Sequence, residues 1–401
     1  LTCSKSLSRE GFIQHEGGES FGRKGRKKRN MRRLVLFVLS GVVFLIASQH
    51  FSHAQLTWQA EWDKTVASAK KEGKVVVGLP PSAELRRELE PVFKARFGFE
   101  MEVFPATGPQ IANRVVTEGN AGMRYFDAFI FGSCTGVPLI KSGLFDAAEN
   151  YFVLPEVKDA KNWWGGHVFM DNVSQTRLFY SFISTKSTEG FWHNTTLAKA
   201  EELRSLDDLL DPKWKGKIGL SDPRVAGFGL SVWSCLWELK GEEYLKKLVA
   251  QDLFVTQNLR QLAEALAKGR VAITLGIGVA QTEPFVKAGL PIKDLPEPRE
   301  GTPSSNGYGT LAILKHPPHP NATKVFVNWL LSKDGQEIYS RVLLHGTRRF
   351  DVDTKWMAKP GVEASKDLLS AKDNEKMRNY LEDKCVEVRL KSQKFAEKVL
   401  Q

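Results

Sequence analysis

The sequence predicts an α/β protein of two lobes, on three observations. Short, nearly all-apolar strands alternate with amphipathic helices, which is the pattern of a parallel sheet covered on both faces. The stretch Gln55–Gln401, 347 of the 401 residues, is too long for one small core and comfortable for two. The loops after the strands are rich in Gly, Ser, Thr and Pro, and open parallel sheets hold ligands at that end of their strands.

Residues 62–72 form the first helix, with Trp62, Val66 and Ala69 on one face and Gly73 closing it. Lys74–Leu79 is a Val-rich strand that ends in Pro80-Pro81-Ser82. A helix over 84–97 buries Leu85, Leu89, Val92 and Phe93, and Gly98 stops it. A second strand, 99–104, turns through Thr107-Gly108 into a helix reaching Glu118; a third, 126–131, ends at Gly132-Ser133-Cys134-Thr135-Gly136. A second region repeats the scheme. Strands are expected at 179–184, 217–220 and 271–275, and helices at 205–210, 230–240, 242–250 and 259–268, with Gly241 and Gly269 as breaks. Gly276-Ile277-Gly278 opens another helix, and the proline-rich stretch 291–303 reads as a boundary. The strand 307–314 and helices 321–331 and 334–343 follow. From Ser365 the chain is charged and helical in pattern, and is expected to pack on the surface.

The amino-terminal part reads as an export signal. Met31-Arg32-Arg33 is a short basic start, Leu34–Ile46 an uncharged apolar run, and Ser52-His53-Ala54 offers small residues for cleavage before Gln55. The run is about 14 residues against the roughly 20 a spanning helix needs, so an uncleaved anchor is the alternative. Residues 1–30 are read as an upstream extension from a start site placed too early. Their basic cluster dominates the charge: residues 1–33 contribute +7 of the net +11, which leaves +4 for the remainder. That balance argues against a nucleic-acid binder.

Cys134, Cys235 and Cys385 are widely spaced and in no metal-binding pattern; they are expected as buried thiols, with one bridge open if two come close. No zinc helix motif, phosphate-binding P-loop or nucleophile elbow occurs, and no cofactor is expected. His316-Pro317-Pro318-His319 looks like a ligand pair, but the prolines extend the run and part the imidazoles. Trp233 and Trp237, at helical i, i+4 spacing, suggest packing before ligand stacking.

At Leu206–Ile218 (LDDLLDPKWKGKI) the chain resembles the solute-binding proteins of ABC importers, in the extracellular family 1 branch that includes ferric-ion binders. Gly307–Lys315 (GYGTLAILK), Pro318–Ala322 and Phe326–Gln336 (FVNWLLSKDGQ) look like the same family's return strand and following helices, and Tyr125-Phe126-Asp127-Ala128 like its third strand. The resemblance implies a type II-like two-lobed periplasmic-binding-protein fold with crossing hinge strands and a ligand cleft. Lobe 1 would span 55–177 and return over 311–352, lobe 2 would span 184–303, and 353–401 would form a helical tail. The crossings would fall near 179–184 and 306–314. The implied partners are a small-molecule ligand and the importer's permease and ATPase subunits, the chain being a monomer in the periplasm.

Ferric members grip their metal with adjacent tyrosines, and this chain has no Tyr-Tyr pair. In the corresponding region it reads Arg224-Val225-Ala226-Gly227-Phe228-Gly229-Leu230-Ser231, a glycine-rich entry to a helix that offers backbone N–H groups to an anion, with Arg224 nearby. The bland alternative is that these glycines only let a helix approach a strand. The expected ligand-binding set is Ser82, Thr107, Ser133, Thr135, Arg224, Gly227, Phe228, Gly229, Gly278, Asn306 and Tyr308, with no catalytic residue and no metal ligand. An exported enzyme or a sensor-type binding module on the same scaffold remains open.

Overall fold

A computed structural model describes residues 58–183, 185–186, 190–301, 304–305, 307–353 and 381–400. The expected export segment, the upstream extension, Asn306 and most of the region after Asp353 lie outside the described residues.

The first sheet is built from β1 (Lys74–Leu79), β2 (Glu100–Pro105) and β3 (Ala128–Phe131), which run parallel in the order β2-β1-β3. Val75, Val77 and Leu79 face one core and Val76 the other, which is why β1 shows no polar alternation. A helix over 58–72 precedes β1 and lays Trp62, Val66 and Ala69 on the sheet. Helix α2 (Ala83–Phe97) buries Leu85, Leu89, Phe93 and Phe97, each four residues apart, and ends at Gly98 with φ 75°. Val92, expected in that stripe, is 42 % exposed because it lies one residue off the line. Helix α3 (Gly108–Asn120) covers the other face with Ile111, Ala112 and Val115.

Three further strands complete this sheet in antiparallel sense. They are β5 (Val168–Phe169), β6 (Phe179–Ser181) and β14 (Thr310–Leu314), and β14 lies between β3 and β6; the short β4 (Phe145–Asp146) also pairs with β14. The second sheet has the order β10-β9-β11-β8-β12, from β8 (Phe191–Asn194), β9 (Ile218–Ser221), β10 (Phe254–Thr256), β11 (Ile273–Leu275) and β12 (Ile292–Asp294). Here β8 is antiparallel to both β11 and β12. Strand β12 falls inside the stretch read as a boundary. Ile292, buried at 3 %, holds it to the sheet despite the prolines around it. Helices α5 (Phe228–Val249), α6 (Leu259–Ala267) and α7 (Val279–Lys287) cover this sheet, and α5 is kinked where Gly241 takes φ 78°. The short helix expected at 205–210 is a 3-10 helix over Leu206–Leu210, capped by Ser205.

Between the sheets, β7 (Thr185–Lys186) and β13 (Ser304–Ser305) pair antiparallel. The change of lobe falls at this ribbon. Of the crossings expected near 179–184 and 306–314, residues 179–181 and 310–314 are strands of the first sheet. Helices α8 (Pro320–Leu331) and α9 (Lys333–Leu343) then return to the first lobe, where Val325, Phe326, Trp329 and Leu330 join its core.

The carboxyl-terminal helix departs most from the sequence reading. It consists of Glu382–Lys384, a π-helical turn Cys385–Arg389, and Leu390–Val399. Instead of lying on the surface it contributes Phe395, Ala396 and Leu400 to the second lobe's core. Trp233, fully buried on α5, donates from Nε1 to the Ser392 carbonyl at 2.9 Å and stacks on Phe395. The charged pattern of the tail hid this because its lysines occupy the outer side of the helix. At its start, the helix is tied to the first lobe. Glu382 accepts from Ser174 N at 2.8 Å and from Ser174 Oγ at 2.6 Å, and Cys385 forms a disulfide with Cys134 in the loop after β3. Cys235 is free and buried, so one of the three expected thiols stays a thiol.

Closing a loop across 251 positions removes much freedom from the unfolded chain. Reduction is therefore expected to lower unfolding free energy by roughly 2–5 kcal/mol. Urea unfolding with and without reductant checks this: Cys385→Ser should match the reduced native protein and show no further response to reductant.

Candidate functional site

The loops at the carboxyl ends of the strands form one lip on each lobe. On the first, Ser82 Oγ accepts from Leu85 N at 3.1 Å and caps α2. Thr107 caps α3, with its N and Oγ1 at 3.0 and 2.9 Å from Gln110 Oε1. Thr135 donates to the Gly132 carbonyl at 3.0 Å. These hydroxyls already serve the loops, and each retains capacity for one more bond. A methyl group built on Gly108 would lie 3.3 Å from Thr135 Oγ1, which brings the β2 and β3 loops together. One on Gly132 would lie 2.3 Å from the Gly307 carbonyl, so Tyr308 joins the same lip. Its backbone is held by Tyr339 Oη at 2.6 Å, and burial raises its phenol pKa. Ser133 opens the turn after β3, but its side chain lies outside the described set, as does Asn306.

On the second lip, α5 begins at Phe228 behind Gly227, an N-cap with no side chain to satisfy the first N–H groups. The Phe228 ring packs against Gly278, which caps α7, so these two loops meet. A β-carbon on Gly229 would fall 2.1 Å from the Ser221 carbonyl oxygen, and one on Gly276 2.8 Å from the Gly229 Cα. Close approach of helix and strand therefore accounts for Gly229 by itself. Arg224 is also committed within the fold. Its Nε and Nη2 grip Asp222 at 2.8 and 2.9 Å, and its Nη1 donates to the Leu400 carbonyl at 2.6 Å. The Arg224 guanidinium in turn holds the Asp222 carboxyl below its ordinary range. Arg224 is thus a latch for the carboxyl terminus, and a ligand contact by it would require exchange of partners.

Sequence reasoning missed the residue that does reach the first turn of α5. Arg389, from the carboxyl-terminal helix, donates from Nη1 to Ser231 Oγ at 2.8 Å. One turn earlier on the same helix, Cys385 is bonded to Cys134 on the first lip. A single turn of this helix therefore joins the lips of the two lobes. The signal available in sequence was the i, i+4 spacing of a cysteine and an arginine in Cys385-Val386-Glu387-Val388-Arg389, which carries no meaning until Cys134 is known to be the partner.

His319 Nδ1 lies 2.9 Å from Asp127 Oδ2, and its N–H donates to Oδ1 at 2.7 Å; the same buried carboxylate accepts from Val76 N at 2.7 Å. His319 is thereby a tie between β1 and the entry to α8. Among the described residues, no group of three or more His, Cys, Asp or Glu side chains is arranged to hold a metal ion.

Residues 92–353 match the family described as bacterial extracellular solute-binding protein. The Fe(3+)-binding periplasmic protein of Serratia marcescens is 27 % identical over 250 residues, 57 % of this chain and 65 % of that one. The chain spans only 44 % and 65 % of the curated relatives it matches. Among solved structures, FutA (IdiA) of Trichodesmium in complex with iron and citrate superposes with a TM-score of 0.61 at 16 % identity, covering 82 % of this chain and 99 % of that one. AfuA of Actinobacillus pleuropneumoniae, with fructose-6-phosphate bound, gives 0.58 at 20 % identity, covering 81 % and 99 %. These structures share the two-lobed fold. With the family match extending over both lobes, the chain belongs to the bacterial extracellular solute-binding proteins.

Proposed function

We propose that this protein is the exported ligand-capturing subunit of an ABC importer, and that it takes a small anionic solute between its lobes. The lobes close about the β7–β13 ribbon and present the solute to an inner-membrane permease and its ATPase. The observation that carries the anionic assignment is the second lip. There a long helix starts behind a side-chain-free glycine, so its N–H groups and positive dipole end favour negative charge. The bound fructose-6-phosphate of AfuA and the citrate of the Trichodesmium protein are anions on the same fold. The Cys134–Cys385 disulfide suits an oxidising compartment and supports export. Among the described residues, no helix is long and apolar enough to cross a membrane.

Ferric ion is the less favoured cargo, for a reason beyond the missing tyrosine pair. Five of the six described tyrosines have their phenol groups engaged in the fold: Tyr125 with Glu102, Tyr151 with Asp146, Tyr180 with His167, Tyr244 with the Leu206 carbonyl and Tyr339 with the Tyr308 carbonyl. Tyr308 alone is left at the lip, and one phenolate is a poor cage for a hard trivalent cation.

Thermal melting against a panel of sugar phosphates, carboxylates, neutral sugars and amino acids tests the assignment. A cognate anion at 100 times its Kd should add about 2.7 kcal/mol of stability; stabilisation by neutral solutes only would overturn it. Mixed with Fe(III), the protein is expected to stay colourless, and a visible charge-transfer band lost in Tyr308→Phe would restore the ferric reading. For export, intact-mass analysis of protein secreted by a Gram-negative host should place the amino terminus at Gln55. Full-length chain held in the membrane fraction would instead support the uncleaved anchor.

A further inference from the structure

Arg389 is only 3 % exposed, yet no carboxylate pairs with it among the described residues. The contrast with Arg349, as deeply buried, is direct: that guanidinium has Asp351 and Glu156 at 2.8 and 3.0 Å. Arg389 has the Ser231 hydroxyl, and its buried Nε has no acceptor among the described residues. Burial without a compensating anion brings its pKa down to about 10, which still leaves it a cation at neutral pH. A buried guanidinium without a carboxylate is unfavourable, and an anion from outside the chain would offset that cost.

Three features say what that partner is. Ser231 lies in the first turn of α5, where Gly227 offers no capping side chain, so the cation is held at the turn whose N–H groups lack a side-chain cap. Arg389 also closes the π-helical turn Cys385–Arg389, an irregularity frequent at functional sites. Finally, the disulfide pins the same turn to the loop after β3, beside Thr135 on the opposite lip. A cation and helix N–H groups together select an oxyanion, and the Nε side of a guanidinium is the side that grips two oxygens in parallel.

We propose that Arg389 is an anion-binding residue that holds, with the first turn of α5, the phosphate or carboxylate group of the solute. The carboxyl-terminal helix is thereby part of the ligand site rather than a tail beside it. This rests on the anionic-solute reading given above. It differs from that reading in naming which cation does the work, since Arg224 is already occupied by Asp222 and the chain terminus. It also gives the disulfide a role: the bridge fixes Arg389 in register between the lips.

The test uses the full chain and its Arg389→Gln, Arg389→Lys and Arg389→Met variants, melted in potassium phosphate and in potassium chloride at equal ionic strength. Titration calorimetry with inorganic phosphate, fructose 6-phosphate and citrate accompanies the melts. The native protein should melt higher in phosphate than in chloride, and Arg389→Gln should lose that difference together with at least about tenfold in affinity for whichever probe binds. Arg389→Lys should retain part of the response, because it keeps the charge but loses the fork. In chloride, Arg389→Met should melt no lower than the native protein, since it removes an unpaired buried charge. A phosphate-to-citrate preference distinguishes an ester phosphate from a carboxylate as the group held. Full anion affinity in Arg389→Gln would overturn this inference alone. A native protein that responds equally to phosphate and chloride and binds none of the three anions would overturn the anionic-solute reading and this inference with it.

Discussion

Each sheet of this protein depends on a strand delivered from the other lobe. Strand β14 arrives from lobe 2 and lies between β3 and β6, antiparallel to both; β8 arrives from lobe 1 and lies between β11 and β12, also antiparallel. Both are buried along their whole length. A central strand supplies hydrogen bonds on two sides and apolar contacts on two faces, so neither sheet is complete until the chain has crossed. That requirement fixes where the crossings run. It places the short β7–β13 ribbon between the lobes and leaves the loops at the strand ends to form the lips.

A second tie is laid over the first. The carboxyl-terminal helix starts against the first lobe, through Glu382 on Ser174 and Cys385 on Cys134, and ends in the second lobe's core at Phe395 and Leu400. The ribbon has only two residues on each strand, whereas the helix is fastened to both bodies by a disulfide, hydrogen bonds and apolar packing. The helix also redistributes the charges at the lips. Arg224 closes on Asp222 and on the Leu400 carbonyl, while Arg389 meets Ser231 in the first turn of α5 with no acid beside it among the described residues. Of two arginines near the same helix start, the one that looks like a ligand anchor in the sequence is satisfied, and the one that looks like part of a solvated tail is not.

The glycines at the lips show how one residue type serves two purposes. Gly229 and Gly276 let α5, β9 and β11 meet at distances no side chain tolerates. At the start of the same helix Gly227 brings no capping side chain to the first N–H groups. A larger residue at 229 would meet the Ser221 backbone.

What the sequence determined by itself was the local and periodic part. Val75–Leu79 reads as a buried parallel strand because nothing in it alternates. Leu85, Leu89 and Phe93 mark a helix face, and Gly98, Gly241 and Gly269 stop or kink helices because each takes positive φ. The lip residues were legible as loops after strands. Only the tertiary structure decided the long-range pairings. Cys134 and Cys385 lie 251 positions apart, Trp233 meets Ser392, and Arg224 meets Leu400, and no periodicity encodes such contacts. A charged helix such as 390–399 buries one narrow face and exposes the rest, so composition reports its surface and not its docking. Whether an arginine is a latch or an unfilled charge depends on which acids the fold brings within about 4 Å, and that is a property of three dimensions.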